Sequence, residues 1–335
     1  MPRRASLHPS PSEGLASRMR TDRLIYFLAM AALGAGHADS PELKAVQHSM
    51  SELHPLAKFT IPGSPDWVAL GDGVWISNKP KNNISQLDAK SNKIGAVIGV
   101  AKDPCSGLAI AFDSVWVPIC SDGSIQRIDL KSHKIVATIP SGVANTEGGI
   151  TAGAGSVWMP SDAAGVLSRI DPATNKVVSK IPIPAGSFTA VFDSGSVWIT
   201  GTKSNLLTRV DAKSEKVLAK IPVGPEPRFL AAGWGSIWTL NQGDGSVSRI
   251  DPATNKVSAS IEVGVPGPGG DIAVGEGAVW VTAIGKPLSK IDPATNRVVA
   301  QYVGKGGDAL RAGLGSLWLS NHEFHEVWRI DPKGL

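Results

Sequence analysis

The stretch "SRIDPATNKV" occupies residues 168–177 and returns unchanged at 248–257, and "SKIDPATNRV" follows at 289–298. Working outward from these copies, a tryptophan precedes each of them by nine or ten residues. The same pattern runs through the rest of the chain. Trp75, Trp116, Trp158, Trp198, Trp238, Trp280 and Trp318 stand in "GVW", "SVW", "SIW", "AVW" or "SLW" contexts. Thirteen residues after each comes an Asp that follows an aliphatic residue: Asp88, Asp129, Asp171, Asp211, Asp251 and Asp331, with Asp292 after twelve. A period of about forty residues marks a repeat architecture.

Each unit reads as four short strands. In the fifth they are "RFLAAG", "GSIWTLN", "GSVSRID" and "KVSASIEV". Apolar and polar residues alternate and β-branched residues are enriched. Gly-rich turns and "DPATNK" separate the strands. Four antiparallel strands per unit make a propeller blade, so the expected fold is all-β, a seven-bladed β-propeller over 57–335. The seventh unit stops at "VWRIDPKGL", after its third strand. The chain enters the repeats with "LAKFTIPG" (56–63), which matches the fourth strands "IVATIPSG" (135–142) and "VLAKIPVG" (217–224). The N-terminal strand is therefore expected to complete the last blade and close the ring, removing an open edge.

Residues 1–38 read as a signal peptide. A basic flank (Arg20, Arg23) precedes an apolar run over about 24–33, and Gly36-His37-Ala38 ends it. The residues ahead of Met19 form an extended n-region or an overlong start, with Met1 and Met19 as the two candidate starts. Residues 39–56 are expected to be a linker or short helix, with Ser40 as cap and Pro41 in the first turn. Residues 1–38 hold five Arg and two acidic side chains, which leaves 28 basic and 27 acidic residues in the remainder. That near-neutral balance carries no signal for nucleic acid or anionic lipid. A periplasmic or secreted monomer is the expectation. Cys105 and Cys120 are expected to form a disulfide, because they face each other across the hairpin that turns at Phe112-Asp113.

The repeated motif is read as scaffold. Pro presets the first turn position, Asp caps turn amides, and Asn accepts a left-handed backbone. One Trp per blade at one offset suits packing between twisted sheets.

These Ser-Val-Trp and "SRIDPATNKV" elements resemble the YVTN-repeat propellers and the virginiamycin B lyase (streptogramin lyase)-like propellers, over about 57–335. The resemblance implies the propeller fold. For activity it implies either a binding module or a C–O lyase using Mg²⁺ and a His/Glu cluster near the channel mouth. The enzymes' Trp-Phe-Thr-Glu tendency in strand two is replaced here by "WISN", "WTLN" and "WLSN". The leading reading is a ligand-binding or protein-interaction module, taking a small molecule, a peptide or a protein partner at the channel-mouth face. It requires no cofactor. The alternative is a lyase with a divalent cation, Mg or Ca.

Function is expected where the repeats differ. Nine or ten residues before each Trp, the varying positions include Asp66, Phe188, Arg228, Phe229, Asp271 and Asp308, with Glu147 one step further out. Three after the Trp come Asn78, Asn241 and Asn321. All are expected to ring the mouth of the central channel as ligand-binding residues. Blade seven adds "SNHEFHEVW", whose His322, Glu323 and His325 are candidates for proton transfer. Asp271, Asp308 and His322 are the candidate metal ligands.

Overall fold

Alternation with period two and a turn signal every few residues produce short antiparallel ladders, and the computed structural model is built of them. It describes residues 39–79, 81–142, 147, 149–162 and 165–335. The expected signal peptide lies outside the described residues. Pro41–Leu335 form one unit.

Seven four-stranded antiparallel sheets follow one another in chain order, and the sixth carries an extra strand. In blade five the strands are Pro227–Gly233, Ser236–Asn241, Ser246–Asp251 and Lys256–Glu262. Ala231 faces Trp238, and Trp238 faces Arg249. The first strand of every blade is the inner edge and pairs only with the second. All seven column tryptophans are fully buried.

The last blade closes as expected. A short helix, α1 (Pro41–Lys44), and a strand, β1 (Gln47–Ser49), precede β2 (Ala57–Thr60). β2 pairs antiparallel with Glu326–Ile330, placing Phe59 opposite Val327. Sequence periodicity did not foresee β1, which runs parallel to Arg297–Val303 as a fifth strand on blade six. Three residues are too few to show a period, and what holds β1 is the burial of Leu43, Met50 and Leu53 beside it.

The turns behave as the sequence implies. Asp251 accepts hydrogen bonds from the Ala253 amide (2.9 Å) and the Thr254 hydroxyl (2.8 Å), and Asn255 is left-handed at φ 55°. Such bonds hold the carboxyls of Asp88, Asp129, Asp171, Asp211, Asp251 and Asp292 below the usual carboxylate range.

The motif also does something that turn chemistry does not require. The Arg of one blade reaches the turn of the next. Arg209 donates from Nη1 to the Pro252 carbonyl (2.6 Å) and to Asn255 Oδ1 (2.9 Å), and from Nε to Ser196 Oγ (2.9 Å). Its guanidinium lies 4.7 Å from the Trp198 ring centroid. Arg127 grips Pro172 and Asn175, Arg249 grips Pro293 and Asn296, and Arg329 grips Ala89 and Asn92. Where blade four has Glu215 in place of Asn, Arg169 forms an ion pair with it at 2.7 Å. Lys290 reaches the Leu335 carbonyl instead. At the first junction Gln86 replaces Arg, and His133 of the next turn sets its ring edge-on to Trp75 at 6.1 Å.

Removing one such Arg deletes several hydrogen bonds and a cation–aromatic contact. Arg209→Ala is expected to lower stability by about 2 kcal/mol. Asn255→Ala should cost about 1 kcal/mol, with the double variant less than additive because the residues share a bond. A urea-unfolding double-mutant cycle checks this, and strict additivity would refute the coupling.

Candidate functional site

Loops between strands four and one, and between strands two and three, share one face of the disc. There Asp66, Glu147, Asp308, His322 and Glu323 line a single cavity of about 520 Å³. Lys305 and five glycines of blades six and seven complete much of its wall. Glycine is required for close approach at Gly306 and Gly307, where a Cβ would collide with Asn321 and Pro287. Gly270 has φ +88°, and a Cβ there would collide with the Thr282 carbonyl oxygen. This brings the segments that end in Asp271 and Asp308 tight against their neighbours.

The acids are held differently. Asp66 accepts a hydrogen bond from Ser106 Oγ (2.7 Å) and lies 3.8 Å from Lys79 Nζ. Glu147 pairs with Arg228, and burial still raises its carboxyl above the usual range. Glu323 pairs with Lys305 at 3.4 Å. Asp308 has no basic side chain within ion-pair distance among the described residues. Burial, then the charges of Asp66, Asp271 and Glu147, push its carboxyl up to about 8.

Several residues sit elsewhere than the expected ring. Asp271 is buried and does not line this cavity. It accepts from the Ile272 (2.8 Å) and Leu310 (3.1 Å) amides and pairs with Arg311. Burial raises its carboxyl despite that partner. Asn78, Asn241 and Asn321 are fully buried inside their blades. Asn241 Nδ2 donates to Ser246 Oγ (3.0 Å) and Ser248 Oγ (2.9 Å), and Asn321 Oδ1 accepts from the Gly307 amide (2.8 Å). A polar group inside a central strand needs such partners. Phe229 is buried, 5.9 Å from both Trp67 and Phe188. Arg228 stacks over Phe188 at 4.5 Å. His325 turns away in a left-handed cap, with Nδ1 3.1 Å from both Ser64 Oγ and the Gly63 carbonyl.

Arg311 was missed by the sequence reading, although a signal existed. Seven residues before the other tryptophans stand Val68, Ala109, Thr151, Val191, Ala231 and Ala273. One arginine in a column of small or β-branched residues is an anomaly.

Of the candidate metal ligands, Asp308 and His322 line the cavity and Asp271 does not. No three His, Cys, Asp or Glu side chains converge among the described residues. Asp66, Glu147 and Asp271 are committed to protein donors, and His325 to blade one.

No family model matches the chain, and neither does any curated protein. Solved structures do. Virginiamycin B lyase from Staphylococcus aureus is 18% identical, with a TM-score of 0.69 over 82% of this chain and 98% of that one. A streptogramin B lyase is 19% identical, with a TM-score of 0.71 over 83% and 97%. Hydrazine synthase of Kuenenia stuttgartiensis is 14% identical, with a TM-score of 0.67 over 82% and 97%. At such identities the shared property is the propeller fold.

Asp308→Asn removes the least compensated acid. A carboxyl raised in the folded state favours folding at low pH, and this contribution is lost as pH rises through the folded value. Between about 4 and 8 the native protein should therefore lose stability with rising pH. The Asn variant should melt several degrees higher at pH 8 and nearly equally at pH 4. Identical melting profiles at pH 4, 6 and 8 would refute the assignment.

Proposed function

We propose that the protein is an exported binding module that takes a small ligand with a cationic group in the mouth cavity. The observation that carries this reading is Asp308, an acid without a basic partner among the described residues, on the wall of a 520 Å³ cavity shared with Asp66, Glu147, Glu323 and His322. A cavity of this size suits a small molecule, and convergent polar groups supply orientation. An ammonium beside Asp308 would favour its ionised form. Affinity for such a ligand should therefore rise between pH 6 and 8, while the amine stays protonated. The leader at 1–38 supports export, as does the disulfide between Cys105 and Cys120. No helix among the described residues is long and apolar enough to cross a membrane.

The test is a thermal-shift series with small mono- and diamines, with their acetylated counterparts as controls. Stabilisation by an amine that Asp308→Asn removes supports the reading. Equal response of both proteins to every amine, or no response at all, overturns it.

A second reading, a streptogramin-lyase-like enzyme, is favoured by His322 and Glu323 sharing the cavity with Asp308. Incubation with a streptogramin B, with and without Mg²⁺, tests it. Ring opening that His322→Ala abolishes would replace the first reading.

A further inference from the structure

The central channel holds a second cavity that shares no lining residue with the first. It measures about 370 Å³ and is walled by the first strands of all seven blades. Small aliphatic side chains dominate, such as Ala109, Ala152, Ala231 and Ala273, and Arg311 is the one charged residue among those lining it. The cavity runs toward the ends of these strands, where Leu70, Ala232, Val274 and Ala312 line it. The turns beyond them carry Phe112, Trp234 and Leu314, all exposed. It therefore belongs to the side of the channel opposite the carboxylate mouth.

Two features give this cavity a recognisable chemistry. The first is backbone. Each first strand is the inner edge of its sheet and pairs on one side only, so its free N–H and C=O groups face the channel. The second is Arg311. Its guanidinium is stacked 4.7 Å from the Trp67 ring centroid, which fixes its plane. Nη1 is used by Asp271 and by the Leu310 carbonyl. Nε and Nη2 have no protein partner among the described residues, and neither is fully buried. They form one side of a fork, the geometry that accepts an oxygen-bearing group.

The charge balance decides what kind of oxygen. Asp271 already neutralises Arg311. An added anion would leave this neutralised pair with a net negative charge, and a cation would meet the guanidinium. A neutral carbonyl meets neither penalty. We propose that the lower channel is a binding site for a small uncharged amide with apolar substituents. Its carbonyl would accept from Arg311 Nε or Nη2, and its remaining polar atoms would pair with the strand edges.

The experiment is a calorimetric titration of the full chain with three matched probes: N-acetyl-phenylalaninamide, N-acetyl-phenylalanine and phenylalaninamide. The uncharged amide is expected to bind with a Kd at or below about 1 mM, and the acid and the amine at least about tenfold more weakly. Ala231→Leu or Ala152→Leu, which add bulk to the cavity wall from blades five and three, should abolish binding. Arg311→Lys keeps the charge, loses the fork, and should weaken the amide about tenfold. Asp308→Asn should leave amide binding unchanged, which separates this site from the mouth cavity. The proposal is overturned if no probe binds at about 10 mM, if the acid binds as well as the amide, or if both cavity-filling variants bind normally while folded.

Discussion

A chain that begins at Gly63 melts more than about 10 °C below the full-length protein and aggregates on heating. It lacks β2, and with it the outer strand of blade seven. Four register pairs with Glu326–Ile330 disappear, and so do two amide bonds, from Leu56 to the Arg329 carbonyl (2.7 Å) and from Ile61 to the His325 carbonyl (2.9 Å). Phe59 packs 6.1 Å from the Trp318 ring and is buried, as is Ile61. Losing one buried Phe alone costs about 3–5 kcal/mol. The exposed edge of "EVWRI" is then free to pair with another chain. A chain that begins at Leu53 keeps β2 but loses β1, Leu43 and Met50. It should fall between the two. Calorimetry of the three chains checks the order, and equal melting temperatures would refute strand-mediated closure.

The second large effect is that of the disulfide. Cys105 and Cys120 are joined, with Cα atoms 5.2 Å apart. Replacing both with Ser should cost about 3 kcal/mol, the value for a loop of about fifteen residues. The measurement is chemical unfolding of the oxidised protein, the reduced protein and the double-Ser variant. Indistinguishable midpoints, or two free thiols by intact mass, would sink it. The pairing was legible in the sequence, although its geometry was slightly wrong. Ala109 faces Trp116, but Pro104 faces Ile119, so the register slips by two residues before the cysteines. The hairpin is not a straight ladder because the first strand of blade two is only Ala109–Ala111.

The same contrast holds elsewhere. Blade number, turn chemistry and ring closure were legible because each depends on residues close in sequence or on a strict repeat. The reach of Arg209 to Asn255 was not, since it joins positions 46 residues apart. The site was legible in part. Asp66, Glu147, Asp308, His322 and Glu323 do share one cavity. The asparagines do not, because the offset that seemed to place them at a rim lies within a strand flanked on both sides. In blades one and five a Ser ten residues after the Trp, Ser85 or Ser248, gives the Asn amide a partner. That pairing could have marked both as interior.

The reach of each arginine into the following turn has a consequence for how such a chain changes length. The contact is head-to-tail: a blade offers its arginine forward and its turn backward. Such an arrangement has no built-in count, and it closes wherever curvature brings the last unit to the first. A duplicated cassette from Trp198 to the residue before Trp238 would carry its own Arg209, its own turn and its own small serine ahead of the next Trp. Both of its faces would already match their new neighbours. Gain or loss of a whole blade is therefore mild at every junction and strains only the circumference. Gain or loss of a single strand would leave an arginine without a turn to hold, and copying errors in such a gene should persist only in multiples of the blade.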